Sequence, residues 1–311
     1  MLRIIVLLFV LTFQVFYSQQ NTTVTPVIPE IISQIPTVRD FTLSPSQDEI
    51  YFTAQGYSGE LSTIVKVAKK DGQWSSPQVA SFSGQYRDLE AMFSPDGLRL
   101  FFVSDRPNTF SSSEKKNHDI WYVERSSLTS NWSEPKNLGA PINTEGDEFY
   151  PSIAKNGNLY FTSTAATSKG KDDIFMSEWK NGKYNQPKSL SEAINSVGYE
   201  YNSYIAPDES FLLFGGYKRK DGLGSGDLYV SYKNEGGNWS TAKNLSNEIN
   251  SDKMDYCPFY DIKTNTLYFT SRRTAIQPDT TKSKSLKEIL NIMNSYQNGL
   301  SRIYSTSIKL Q

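Results

Sequence analysis

Cysteine and histidine are almost absent from this sequence of 311 residues: Cys257 and His118 are the only ones. A single cysteine excludes an internal disulfide and a cysteine metal cluster. A single histidine excludes a His-rich metal site and makes any Ser–His–Asp triad depend on one residue. An excess of either charge is also missing. Lys plus Arg total 32 against 33 Asp plus Glu, so the net charge of −1 leaves no footprint for nucleic acid or for an anionic membrane surface. The sequence has no Walker loop, no dinucleotide fingerprint after a strand and no histidine-metal signature. Methionine is scarce at 5, whereas Tyr and Phe number 19 and 17. That balance suits many short strands, because aromatic and β-branched residues pack well on a pleated surface.

Long apolar runs are confined to the first twenty residues. Arg3 precedes the run Ile4–Phe16, and Tyr17-Ser18-Gln19-Gln20 follows. This reads as a secretory signal peptide over residues 1–18, with Ser18 at the last position before the cut, although Phe16 is not the small residue the pattern prefers. The run is shorter than the roughly 20 residues a spanning helix needs. The expectation is a soluble, exported protein, periplasmic or secreted, with residues 24–311 forming one domain and no transmembrane segment in the mature chain.

A period of roughly 50–55 residues organises the remainder. Its clearest unit is Asp-aliphatic-aromatic: Asp119-Ile120-Trp121, Asp173-Ile174-Phe175 and Asp227-Leu228-Tyr229, with weaker copies at Thr63-Ile64-Val65 and Arg302-Ile303-Tyr304. A turn and a β run precede each copy. Pro95-Asp96-Gly97 leads into Leu100–Val103, and Lys155-Asn156-Gly157 into Leu159–Phe161. Gly and Asn between β runs mark hairpins, since both tolerate the positive φ of a tight turn. A third unit follows, reading aromatic-x-x-Pro, Leu and Ile-Asn-Thr/Ser, as at Trp132, Pro135, Leu138 and Ile142-Asn143-Thr144.

Each repeat thus carries four β segments, A to D, and four short antiparallel strands describe a propeller blade. Blades begin near residues 38, 86, 147, 199 and 254. The fold expected is all-β: a five-bladed β-propeller of four-stranded antiparallel blades. The last blade lacks a D strand at the C-terminal end, and the segment Pro29–Ile32 is expected to supply it, closing the ring and removing open edges. One helical insertion, about 285–298 in the last blade, stands out. Leu286, Ile289, Leu290, Met293 and Tyr296 form one apolar stripe, with Ser285 and Glu288 as a capping box. Packing of that stripe back onto the propeller is expected; the alternative is a helix that docks a partner. Cys257, in an A strand, is expected to be buried.

At these motifs the chain resembles the TolB-type, WD-repeat-like propeller family. The second repeat carries the likeness best, in Ser94-Pro95-Asp96-Gly97, Ser104-Asp105-Arg106 and Asp119-Ile120-Trp121. Other repeats depart from it, with Ser163-Thr164-Ala165, Gly215-Gly216 and Ser271-Arg272-Arg273. The resemblance covers residues 38–272 and 300–308. It implies a binding protein of the bacterial envelope or exterior that lacks catalysis. It does not extend to the additional N-terminal domain of TolB, for which this sequence leaves no room.

Loop length points to a working face. The A–B turns are short, whereas the B–C loops are longer, and function tends to sit on variable loops held by a rigid scaffold. A protein or glycan ligand is therefore expected on the D–A/B–C face. Alignment of the repeats brings Asp88, Glu148, Glu200 and Asp255 to one position at the start of strand A, near Tyr150 and Tyr201. Strand A is innermost, so these residues form a candidate binding ring at the central channel. Three chemistries suit them: hydrogen bonds that hold the fold, a Ca²⁺ site of carboxylate oxygens, or a glycan cleft. No cofactor is expected, with Ca²⁺ the possible exception. The leading function is a non-catalytic, monomeric binding propeller. The alternative is a five-bladed carbohydrate-active hydrolase using paired carboxylates at the channel. Basic residues on the B–C loops, among them Lys115, Lys116, Arg219 and Arg273, suit an acidic partner.

Overall fold

A computed structural model describes residues 23–107, 117–165, 167–277 and 281–310. The signal peptide, Lys115 and Lys116 lie outside the described residues.

Each turn read from the sequence closes a hairpin. In Ser94-Pro95-Asp96-Gly97 the Asp96 carboxylate accepts from Ser94 Oγ at 2.6 Å and Leu98 N at 3.0 Å, while Gly97 takes φ 71°. An Asx-type bond of this kind fixes a tight turn locally. The flanking runs pair into five antiparallel sheets arranged as a ring of five blades. Blade 1 has strands A Thr37–Leu43, B Glu49–Gln55, C Ser62–Lys70 and D Gln78–Val79. In the same order, blade 2 has Asp88–Phe93, Arg99–Ser104, Asp119–Glu124 and Lys136–Asn137, and blade 3 has Glu148–Ile153, Leu159–Ser163, Asp173–Ser177 and Lys188–Ser189. Blade 4 has Tyr199–Ile205, Phe211–Tyr217, Asp227–Tyr232 and Lys243–Asn244. Blade 5 has Asp255–Asp261, Thr266–Ser271 and Arg302–Ser307 from the C-terminal end of the chain. The aromatic residue of strand B recurs as Phe52, Phe102, Phe161, Phe214 and Phe269, all fully buried, which is why that position is aromatic in every repeat.

The ring closes through the N-terminal segment, four residues upstream of the expected place. Thr25–Pro26, not Pro29–Ile32, pairs antiparallel with Tyr304–Ser305 and completes blade 5. Val27 N adds a bond to Ile303 O at 3.1 Å. Pro29–Ile32 instead forms a short helix, α1, with Pro29 in its first turn and Ile31 and Ile32 buried. Pro29 suits the first turn of a helix that buries Ile31 and Ile32, whereas Pro26 is tolerated because its strand lies at the edge of the sheet.

Every A strand carries the same irregularity. Register shifts fall between Arg39/Thr42, Leu89/Met92, Phe149/Ser152, Tyr201/Tyr204 and Tyr256/Phe259. Inside each bulge one residue takes positive φ: Asp40, Glu90, Tyr150, Asn202 and Cys257, at 50–63°. Three of these bulges are tied to the preceding blade. Threonines of strand B, Thr53, Thr162 and Thr270, accept from the N–H of Glu90, Asn202 and Asp40 at 3.1–3.2 Å. The last of these joins blade 5 to blade 1.

The insertion in blade 5 contains α2, Leu286–Met293, and Ser285 and Glu288 form the capping box reciprocally. Its stripe does not pack back as expected: α2 has no buried residue, and only Tyr296 beyond it turns inward, donating to Ile303 O at 2.5 Å. No helix among the described residues is long and apolar enough to cross a membrane.

Cys257 is fully buried. Burial, then the neighbouring Asp40 carboxylate, pushes its thiol well up. Thiolate is the reactive form. Labelling by a thiol reagent is therefore expected to be slow in the native protein and fast in denaturant, and comparable rates in both states would contradict this packing.

Candidate functional site

The four aligned carboxylates begin strand A of blades 2 to 5, and all are fully buried. They are held by a recurring latch. In blade 4, Ser196 donates to Glu200 through its backbone N and Oγ, both at 2.7 Å, and Arg219 Nη1 donates to the same carboxylate at 2.8 Å. In blade 5, Ser251 N and Oγ and Arg273 Nη2 do this for Asp255 at 2.6–2.9 Å. In blade 2, Ser83 Oγ and Arg106 Nη2 hold Asp88, each at 2.8 Å.

The motifs explain the latch. The Arg follows strand B and also grips a carbonyl of the D–A loop: Arg106 that of Phe82, Arg219 that of Ile194, Arg273 that of Ile249. Its guanidinium stacks on the strand-B aromatic and on the aromatic of the Asp-aliphatic-aromatic unit. Arg106 lies 5.0 Å from the Phe102 ring and 5.3 Å from Trp121; Arg273 lies 5.1 Å from Phe269 and 4.9 Å from Tyr304. The Asn of Ile-Asn-Ser/Thr pins the same loop to strand C. Asn195 accepts from Ile174 N and donates to Ile174 O, and Asn250 does so with Leu228. The Asp opening strand C caps the B–C turn: Asp173 accepts from Lys169 N and Gly170 N, and Asp227 from Leu223 N and Gly224 N.

Blade 3 lacks the Arg, because Ser163-Thr164-Ala165 replaces the Ser-x-Arg sequence. Among the described residues Glu148 keeps only hydroxyl and backbone donors, from Thr144 and Ser163. Burial pushes its carboxyl up to about 7, against the lowering effect of the Thr144 bonds. Among the described residues no group of three or more His, Cys, Asp or Glu side chains is placed to hold a metal ion. Asp88, Glu200 and Asp255 each face an arginine, an arrangement unlike the cluster of carboxylate and carbonyl oxygens that Ca²⁺ prefers. His118 stays with the D–A loop, its Nδ1 3.4 Å from Asp147 and its ring 5.2 Å from that of Phe149.

The groups that do come together are the bulge residues, two positions further along strand A. Arg39 Nε lies 2.7 Å from Asp40 Oδ1, and its Nη2 lies 2.6 Å from Glu90 Oε1. Cys257 Sγ donates to Asp40 Oδ1 at 2.7 Å. Glu90 also accepts from Tyr150 N at 2.7 Å. One cation serves two buried carboxylates here. Burial therefore pushes Glu90 up to about 7 in spite of Arg39, with Asp40 adding to the rise. Asp40 Oδ2 is buried without a partner. Tyr150 thus belongs to this cluster, its hydroxyl donating to Pro258 O at 3.0 Å, whereas Tyr201 lies at the preceding position and its hydroxyl has no partner. Positive φ in Asp, Glu, Tyr and Cys carries no sequence signal, which is why alignment alone selected the latch rather than the cluster.

Loop length pointed to one end of the propeller, and a large cavity opens on the other. A groove of about 1010 Å³ is lined by A–B turns and A-strand ends of all five blades. Met92, Ser152, Tyr204 and Phe259 line it near the axis, and it reaches outward to Arg99 and Glu124 of blade 2 and Trp179 and Tyr184 of blade 3. The Trp179 and Tyr184 rings meet edge to face with centroids 4.7 Å apart. Burial pushes the Tyr184 phenol up to about 12. Gly157, at φ 92°, is required beneath this wall, because a Cβ there would stand 2.9 Å from the Trp179 ring.

No family model matches the sequence, and no curated protein matches it. Solved structures do. The catalytic domain of an α-L-arabinofuranosidase from Coprinopsis cinerea superimposes with a TM-score of 0.51 at 11% identity, covering 88% of this chain and 91% of that one. An α-L-arabinofuranosidase from Podospora anserina gives 0.50 at 12% identity over 88% and 91% of the two chains. A TolB from Agrobacterium tumefaciens gives 0.48 at 13% identity over 75% and 69%. At such identities the likeness is one of fold alone, and the fold is the five-bladed propeller.

Proposed function

We propose that this protein is an exported, non-catalytic binding propeller, monomeric, that takes up a segment of a protein or glycan in the groove on the A–B face. The observation that carries the reading is the groove itself: an apolar, aromatic-walled concavity of about 1010 Å³ at the mouth of the channel. Concave sites lined by apolar and aromatic side chains with a few polar groups are where ligands bind. The latch supports the non-catalytic part, since Asp88, Glu200 and Asp255 are each spent on hydroxyl and guanidinium donors of the scaffold. The resemblance to TolB-type propellers favours a partner in the bacterial envelope or exterior.

A second reading is hydrolysis at the channel. Its specific support is the pair Asp40 and Glu90, two carboxylates on one guanidinium, with Glu90 raised to about 7 and Asp40 Oδ2 unpartnered. Paired carboxyl groups are the machinery of glycoside cleavage.

One screen separates the two: a glycan array and a pull-down from envelope extract, with polysaccharides assayed for new reducing ends. The proposal expects capture without cleavage, and Trp179→Ala lowering affinity at least tenfold, as for an aromatic anchor. Cleavage lost in Glu90→Gln, with the fold intact, would establish the second reading instead.

A further inference from the structure

Blades 1, 2 and 4 share a pair that blade 3 lacks. At the end of strand C a cation lies over the next aromatic residue along the chain. Lys69 is 5.7 Å from the Trp74 ring centroid, Arg125 4.3 Å from that of Trp132, and Lys233 5.4 Å from that of Trp239. Such pairs add modestly to the stability of a fold. In blade 3 the place of the cation is held by Trp179, and its partner is Tyr184. Three blades close with a cation there, so the fold does not require the tryptophan. Trp179 is half-buried and lines the groove, and Gly157 beneath it makes room for the ring.

Blade 2 adjoins this aromatic wall. Burial raises the Tyr184 phenol, and Arg99 across the blade boundary draws it back. Arg99 lies 3.8 Å from Glu124, and both side chains are partly exposed. The groove is lined by four cations and three carboxylates, and Arg125 is taken by Glu49 at 2.7 Å. Arg99, Lys155 and Lys263 then stand against Asp96, Glu124 and Asp261, so the lining has no excess of either sign. An ionic ligand would find no surplus of opposite charge to offset the water it loses. The turns of the rim do not suit an added peptide strand either. Ser44 N, Ser94 N and Ala154 N bond within their own turns, to Glu49 O, Arg99 O and Asn158 O at 2.8–3.0 Å. Strand addition needs a row of free backbone groups.

We infer that the groove takes a neutral glycan chain, with one sugar ring lying on Trp179 and its hydroxyls on Arg99 and Glu124. The inference rests on the groove being the binding site. The C–H face of a pyranose is apolar and slightly positive, which suits the negative face of an aromatic ring. Each sugar hydroxyl both donates and accepts, and the pair Arg99 and Glu124 offers an acceptor and donors side by side without a net charge. Trp179 is thus the residue that sets specificity, at the one blade where the repeated cation is given up.

The test is calorimetric titration of the full protein with cello-, xylo-, manno- and galacto-oligosaccharides, with oligogalacturonate as the charged counterpart and a library of unstructured peptides beside them. Binding of at least one neutral oligosaccharide, more tightly than oligogalacturonate, is expected. Trp179→Lys installs the cation that blades 1 and 4 carry, so circular dichroism should show a folded protein, and its affinity should fall at least tenfold. Trp179→Phe keeps an aromatic face and should recover most of the loss. Failure to bind any of the four neutral oligosaccharides would overturn the inference, as would oligogalacturonate binding as tightly as they do. Peptide binding that Trp179→Lys abolishes, with no oligosaccharide bound, would overturn the glycan and leave the groove as the site. Oligosaccharide binding that Trp179→Lys leaves unchanged would overturn both.

Discussion

Glu200→Gln is expected to lower the unfolding free energy by about 3 kcal/mol, because it leaves the largely buried Arg219 guanidinium without its counter-charge. Arg219 still has the Tyr229 ring at 4.7 Å and the Ile194 carbonyl at 2.9 Å, but neither neutralises it. Glu148→Gln should behave differently. No guanidinium of the described residues faces Glu148, and an amide oxygen still accepts from Thr144. Its loss at neutral pH should therefore cost less than about 1 kcal/mol. The pH dependence adds a signature. The folded-state value of Glu148 is raised from 4.5 to about 7, so the folded protein holds a proton that the unfolded chain has released. Stability from this group is complete below 4.5 and falls as pH rises through the interval up to about 7, and the full shift is worth on the order of 3 kcal/mol. Glu90 titrates in the same direction. Urea unfolding across this interval should show wild-type stability declining with pH, a shallower decline in Glu148→Gln, and in Glu200→Gln a parallel curve displaced downward. Equal losses in the two variants would mean that the missing Arg of blade 3 has no consequence.

The second large effect concerns ring closure. Removing residues 23–32 strips the D strand from blade 5 and takes away the buried side chains Val27, Ile31 and Ile32. Each such side chain contributes about 2 kcal/mol, so the loss is about 6 kcal/mol and the thermal midpoint should fall by roughly 12 °C. Strand Arg302–Ser307 would become an open edge, and the truncated protein should aggregate on heating. A midpoint within a degree or two of the parent would show that blade 5 closes without its N-terminal strand.

The fold was legible because its signals are local and repeated. Strand-B phenylalanines, Pro-Asp-Gly turns and Asp-aliphatic-aromatic units each report one hairpin, and a period multiplies them. The clasp was legible as a need but misplaced by four residues, since Thr25–Pro26 is too short to announce itself beside the apolar Ile31-Ile32 pair. The latch was half legible. Register alone finds Asp88, Glu148, Glu200 and Asp255, but their partners Arg106, Arg219 and Arg273 sit on loops, where a basic residue looks solvated. The central cluster was not legible, because bulges that place Glu90, Tyr150 and Cys257 at positive φ are imposed by the ring. The groove was hidden for a related reason: five short turns from distant parts of the chain make it, and none of them is long.

The place where a ligand binds separates the groove from the carboxylate end of the channel. The deciding measurement is the affinity of two folded variants, Trp179→Ala and Glu148→Gln, for the ligand captured by the wild-type protein. The groove reading predicts at least a tenfold loss in Trp179→Ala and wild-type affinity in Glu148→Gln. Wild-type affinity in Trp179→Ala together with a comparable loss in Glu148→Gln would contradict it, and would return the site to the carboxylate end of the channel.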